Sequence, residues 1–250
     1  MIAALRMALV GATLLATPLT ASDFKDMTAE QRADFGAQVR AYLLENPQVI
    51  AEAITILQRQ QEQAAVQAES SLIAQNYDAI FNDGFSWVGG NPDGDVTIVE
   101  FMDYRCGYCR KAQAEVAALL KQDPNVRLII KEFPILGPQS ELASRFAIAV
   151  RGLYGAETYG PVHNTLMAFK GDISDTSLSQ MAQGFGLDYT QIKEKMTAPA
   201  VNNELAQTRA LAQALQISGT PTFVLPDRFI RGYAPGPDMA AMVNEVRKTQ

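Results

Sequence analysis

Two cysteines, Cys106 and Cys109, are the only ones in the 250 residues, and they lie three positions apart. That spacing narrows what the chain can be. A bridge across so small a loop would restrain the unfolded chain little, and a chain of this length buries a core without staples. A structural zinc site needs four ligands; no third cysteine exists, and the sole histidine, His163, reads as an ordinary surface or core residue. Two thiolates alone suit Cu(I), a soft ion, so a Cu(I) site at Cys106 and Cys109 stays open. Met239 and Met242, with Val243 and Val246, read as the core face of a last helix rather than as further ligands.

The surroundings of the pair favour thiol chemistry. Val96 to Met102 is a continuous apolar run broken only by Thr97 and Glu100, as in a buried strand, and Lys111 to Leu120 has helical patterning. Cys106 therefore stands where a strand hands over to a helix. Unpaired N–H groups and the helix dipole favour an anion there, and Arg105, Arg110 and Lys111 add positive charge. The thiolate is the reactive form of cysteine, so both effects are expected to lower the pKa of Cys106 and activate it. Cys109, one turn further in, is expected to be the more buried thiol.

The rest of the chain organises around this unit. Met1 to Arg6 carry one positive charge, Met7 to Leu15 are apolar, and Leu19-Thr20-Ala21 offers a cleavage site. This predicts a secretory signal peptide over residues 1–21, too short to span a bilayer. The net charge of -6 falls to about -7 after cleavage and excludes a nucleic-acid partner. Residues 28–75 read as helix with a break at Asn46-Pro47. In the second half Ile50, Ile54, Leu57, Gln61, Ala64 and Ala68 alternate steps of four and three, which is a coiled-coil seam. Residues 82–94 are turn-rich and mark a boundary. Val126 to Phe133 predicts a second strand, giving a βαβ unit. Residues 138–215 read as successive helices, with Asp188 a candidate N-cap. Thr222 to Leu225 and Phe229 to Arg231 read as a hairpin, and Pro237 to Lys248 as a closing helix. The expected division is a signal peptide at 1–21, a helical oligomerisation segment at 22–81 and an α/β catalytic domain at 82–250.

A C-x-x-C beside a βαβ unit is a thioredoxin-like redox signal. The segment Glu100-Phe101-Met102-Asp103-Tyr104-Arg105-Cys106-Gly107-Tyr108-Cys109-Arg110-Lys111 resembles the active site of DsbA-like thioredoxin-fold proteins, and Gly219-Thr220-Pro221-Thr222 resembles their cis-proline loop. The helical stretch between them resembles the DsbA-type insertion. Tyr42-Leu43-Leu44-Glu45-Asn46-Pro47, with Ile50-Ala51-Glu52-Ala53, resembles the leader of the bacterial suppressor-of-copper-sensitivity proteins, ScsC.

The resemblance implies Cys106 as nucleophile, Cys109 as resolving cysteine, a cis bond at Thr220-Pro221 beside the pair, and Glu100 as a buried proton relay. It implies no cofactor, a periplasmic location, misoxidised protein substrates, a membrane redox partner that resets the cysteines, and a homo-oligomer, with a trimer among the states expected. Strongly oxidising relatives carry histidine before the second cysteine. Here that residue is Tyr108, and Gly107-Tyr108 resembles disulfide isomerases of the DsbC type. The expected function is a protein disulfide isomerase or reductase. A monomeric dithiol oxidase and a copper-binding protein using the same thiols remain the alternatives.

Overall fold

The computed structural model describes residues 27–249. The expected signal peptide lies outside the described residues. Thr28 opens α1 (Ala29–Glu45) with a reciprocal capping box to Gln31. Asn46 and Pro47 end it, and α2 (Gln48–Gln75) follows. The chain falls into two compact units, one through residue 61 and one from residue 62 onward. In the first, α1 buries no residue, and Val39, Tyr42, Leu44, Ile50, Ile54, Ile56 and Leu57 are exposed.

The second unit is built on a five-stranded sheet in the order β1-β3-β2-β4-β5. Its strands are β1 (Trp87–Gly90), β2 (Val96–Met102), β3 (Val126–Glu132), β4 (Thr222–Val224) and β5 (Phe229–Arg231). β2 and β3 run parallel, with Glu100 opposite Ile130 and Met102 opposite Glu132. β1 is antiparallel to β3, and β4 is antiparallel to β2 and β5. β1 lies inside the stretch expected to be turns, whose two glycines hide it. Gly90 has φ +64°, and a Cβ there would lie 2.5 Å from the Val126 carbonyl oxygen, so the close strand approach itself requires glycine.

Alternation along the strands sorts the side chains to two faces. Ile98, Met102, Leu128, Ile130 and Phe223 join the core formed with α4 (Gly107–Gln122) and α10 (Gly236–Thr249). Val99, Phe101, Ile129, Phe133 and Val224 form a second core with Ile73 and with Ile80 and Phe81 of α3 (Tyr77–Phe81). The compact unit thus takes in residues ahead of the turn-rich stretch, because their apolar side chains cover this face. Between β3 and β4 the chain runs only as helices: α5 (Pro138–Tyr154), α6 (Ala156–Ala168), α7 (Asp175–Gly184), α8 (Tyr189–Met196) and α9 (Pro199–Ala214). Asp188 caps α8 through the N–H groups of Thr190 and Gln191.

Candidate active site

Cys106 is the N-cap of α4. Its Sγ accepts a hydrogen bond from the Cys109 backbone N–H at 3.4 Å, the place a Ser or Asp oxygen takes in ordinary caps. The helix begins at Gly107, four residues before the expected start, because the sulfur supplies the cap. Cys109 is fully buried beneath, while Cys106 keeps 7% of its surface exposed. Both thiols are free.

The loop before β4 closes the other side. The Thr220-Pro221 bond is cis, as expected. The Thr220 carbonyl oxygen lies 3.1 Å from Cys106 Sγ, and the thiol donates to it. That contact favours the neutral thiol, and burial does too. Donors win: hydrogen bonds from the Cys109 thiol, from the Thr220 side chain and from the backbone N–H groups of Cys109 and Tyr108 bring the Cys106 pKa down to about 5. Cys109 moves the other way, raised by its hydrogen bond to Cys106, by burial and by the nearby Glu100 charge.

The three cations expected to surround Cys106 do not bring about this shift. Arg105 donates to the Gly171 carbonyl, Arg110 Nε donates to the Tyr104 carbonyl, and Lys111 lies over the Tyr233 ring at 4.0 Å. Each is held by a partner of its own, so the lowered pKa comes from neutral donors at the helix start. His163 proves to be a core residue, and Met239 is buried in the core as expected.

Glu100 is fully buried on the sheet face that carries Ile98 and Met102, and neither carboxylate oxygen has a hydrogen-bond partner among the described residues. Burial first, and the Cys106 charge second, push its pKa up to about 8. Sequence reasoning gave no role to Asp103. It is fully buried, and it accepts from the N–H of Arg105 at 2.7 Å and from those of Ile135 and Leu136 at 2.8 and 3.0 Å. It ties the segment entering Cys106 to the loop after β3. An aspartate between a strand and a C-x-x-C was the available signal, since a short acceptor at a strand end suits a turn. Among the described residues no group of three or more His, Cys, Asp or Glu is placed to hold a metal ion, and no helix is long and apolar enough to cross a membrane.

Comparison with known proteins matches residues 97–244 to the DSBA-like thioredoxin domain and residues 31–64 to the copper resistance protein ScsC N-terminal domain. A thioredoxin-like oxidoreductase from Silicibacter pomeroyi DSS-3 is 44% identical, with a TM-score of 0.65 over 68% of this chain and 97% of that one. Proteus mirabilis ScsC in a transitional conformation is 27% identical, with a TM-score of 0.66 over 90% of this chain and all (100%) of its own. Among curated sequences, 143 residues are 29% identical to Na(+)/H(+) antiporter NhaA 1 of Salinispora arenicola; the match takes in 56% of this chain and only 22% of the antiporter's length.

Proposed function

Because this chain belongs to the DSBA-like thioredoxin domain family, we propose that it is a periplasmic thiol–disulfide oxidoreductase, acting as a disulfide isomerase or reductase through Cys106 and Cys109. One observation carries the reading: Cys106 Sγ, 7% exposed, caps α4 on the Cys109 N–H above a fully buried second thiol, with its pKa lowered to about 5.

The chemistry runs in two exchanges. The Cys106 thiolate attacks one sulfur of a substrate disulfide, and the other sulfur leaves as a thiolate. In isomerisation, that or another substrate thiolate attacks the mixed disulfide and expels Cys106, with no net oxidation. In reduction, Cys109 gives its proton to the Glu100 carboxylate and attacks Cys106 Sγ. The substrate leaves as a dithiol, and the enzyme becomes the disulfide. A membrane-bound thiol reductant would return two electrons to it. Thr220 and Pro221 form the wall beside Cys106 where an extended substrate would lie.

The exposed apolar residues of α1 and α2, with the match of residues 31–64 to the ScsC N-terminal domain, support a segment at 22–81 that assembles the protein into an oligomer, a trimer being the state proposed. The apolar N-terminal stretch supports export. The same match supports a second reading, in which the two thiols hold Cu(I). Incubation with scrambled ribonuclease decides between them. Recovered ribonuclease activity supports the isomerase. Oxidation of reduced ribonuclease without rearrangement supports the dithiol oxidase, and tight Cu(I) binding without turnover supports the copper protein.

A further inference from the structure

A second buried polar cluster lies beyond the cysteines, where the chain enters the active site. Glu132, the last residue of β3, is 2% exposed. Its Oε1 meets the hydroxyls of Tyr159 on α6 and of Tyr104, the latter at 2.8 Å. The Tyr104 oxygen lies 3.0 Å from His163 Nδ1. His163 Nε2 lies 3.3 Å from Gln113 Oε1 on α4. The Gln113 amide nitrogen already donates to Asn164 at 2.7 Å, which aims its oxygen at the ring.

Each link from Tyr159 through Glu132, Tyr104 and His163 to Gln113 needs one proton. The two hydroxyls and a neutral imidazole beside a carboxylate leave one link without a proton. The chain is complete when Glu132 is a carboxylic acid, with Tyr104 donating to Nδ1 and Nε2–H donating to Gln113. It is equally complete when Glu132 is a carboxylate and His163 an imidazolium, with the Tyr104 proton turned toward Glu132. We propose that Glu132 and His163 hold one proton between them across the Tyr104 hydroxyl, and that this proton positions the segment leading into Cys106. The positioning half rests on the thiol-exchange reading; the proton-sharing half does not.

The charged neighbours do not supply the missing proton. From α5, Arg151 lies over the Tyr159 ring at 5.9 Å, but it is ion-paired with Glu204 of α9. Ser144 of α5 brings only a hydroxyl, and β1 brings only Trp87, stacked on His163 at 6.3 Å. Burial pushes Glu132 up to about 7 against the lowering hydrogen bonds of Tyr159, Ser144 and Tyr104, and burial pushes His163 down to about 4, so the cluster disfavours separated charge. Loss of the proton sets acceptor against acceptor next to Tyr104. That residue is fully buried, its carbonyl accepts from Arg110 Nε at 3.1 Å, and it stands two positions before Cys106.

His163 is the only histidine, so its ring nitrogens can be followed by NMR in the reduced, full-length protein without assignment. The expected result is a step in the ring signals near pH 7 in the wild type, lost in Glu132→Gln and in Tyr104→Phe. Ring signals flat from about pH 5.5 to 8.5 in the wild type, or an unchanged step in Glu132→Gln, would overturn proton sharing. The wild-type measurement stands even if a variant fails to fold. Alkylation of Cys106 by iodoacetamide, corrected for thiolate fraction, is expected to break at the same pH and to lose that break in Glu132→Gln. A ring step without a break in reactivity would overturn the positioning role. Neither measurement needs isomerase turnover, so failure here is distinct from failure of the proposed function.

Discussion

Cys109 donates its backbone N–H to Cys106 Sγ at 3.4 Å, so the second cysteine of the pair caps its helix on the first. The bond is stronger when Cys106 is ionised, because a charged acceptor strengthens it. The absorbance of the Cys106 thiolate near 240 nm is expected to titrate with a midpoint near 5 in the reduced protein. At pH 7 that gives about 30-fold more thiolate than a free cysteine holds. A midpoint above about 8 would show that the cap does not act on the sulfur.

The two cysteines are expected to fail differently. Cys106→Ser should abolish exchange with model disulfides. Cys109→Ser should keep the first step and accumulate mixed disulfides with substrate, since the second thiol that would release them is missing. Non-reducing electrophoresis and mass spectrometry read the adducts. Adducts on Cys106→Ser but not on Cys109→Ser would reverse the roles.

Glu100 should leave a signature in the pH dependence of stability. Its folded pKa, about 8, lies above its unfolded value of 4.5. Its contribution is therefore fully present below about 4.5 and is lost as the pH rises through about 8. Measured by urea denaturation of the reduced protein, the stability of the wild type relative to Glu100→Gln is expected to shrink across that window. The slope is at most about 1.4 kcal/mol per pH unit. A difference independent of pH would mean that Glu100 is already ionised at acid pH.

Asp103 takes three backbone N–H groups that have no other acceptor in their loops. Asp103→Ala is expected to cost roughly 1–3 kcal/mol in denaturant unfolding, because it removes the acceptor of three part-buried N–H groups. Asp103→Asn keeps an acceptor and should cost less. Equal stability of wild type and alanine variant would show that water replaces the carboxylate without penalty.

Assembly is expected to depend on Ile50, Ile54 and Leu57, all about half exposed at 49%, 51% and 53%. Replacing Ile54 and Leu57 by glutamate should give monomers by light scattering, since charges in the seam lose the apolar burial, about 25 cal/mol per Å². Those monomers should still exchange with small disulfides, but should lose activity on scrambled protein. Full isomerase activity in a monomer would separate assembly from function.

Several features could be read from the sequence because their causes are local. The C-x-x-C at a strand-to-helix junction, the Thr28 capping box, the Asn46-Pro47 break, the Asp188 cap and the helical run after residue 138 each depend on residues within a turn or two. Glu100 was placed in the site by family resemblance; nothing in its own segment distinguishes a buried carboxylate from an exposed one. Only the tertiary structure decided that Arg105, Arg110 and Lys111 spend their charge on other partners, and that Asp103 binds the loop after β3. The Glu132 cluster makes the difference plainest. Tyr104 meets Glu132 across 28 positions and His163 across 59. Propensity and periodicity report how a residue sits on its own helix or strand. They do not report which helix the sheet brings against it, and the protonation of a buried group is decided by that neighbour.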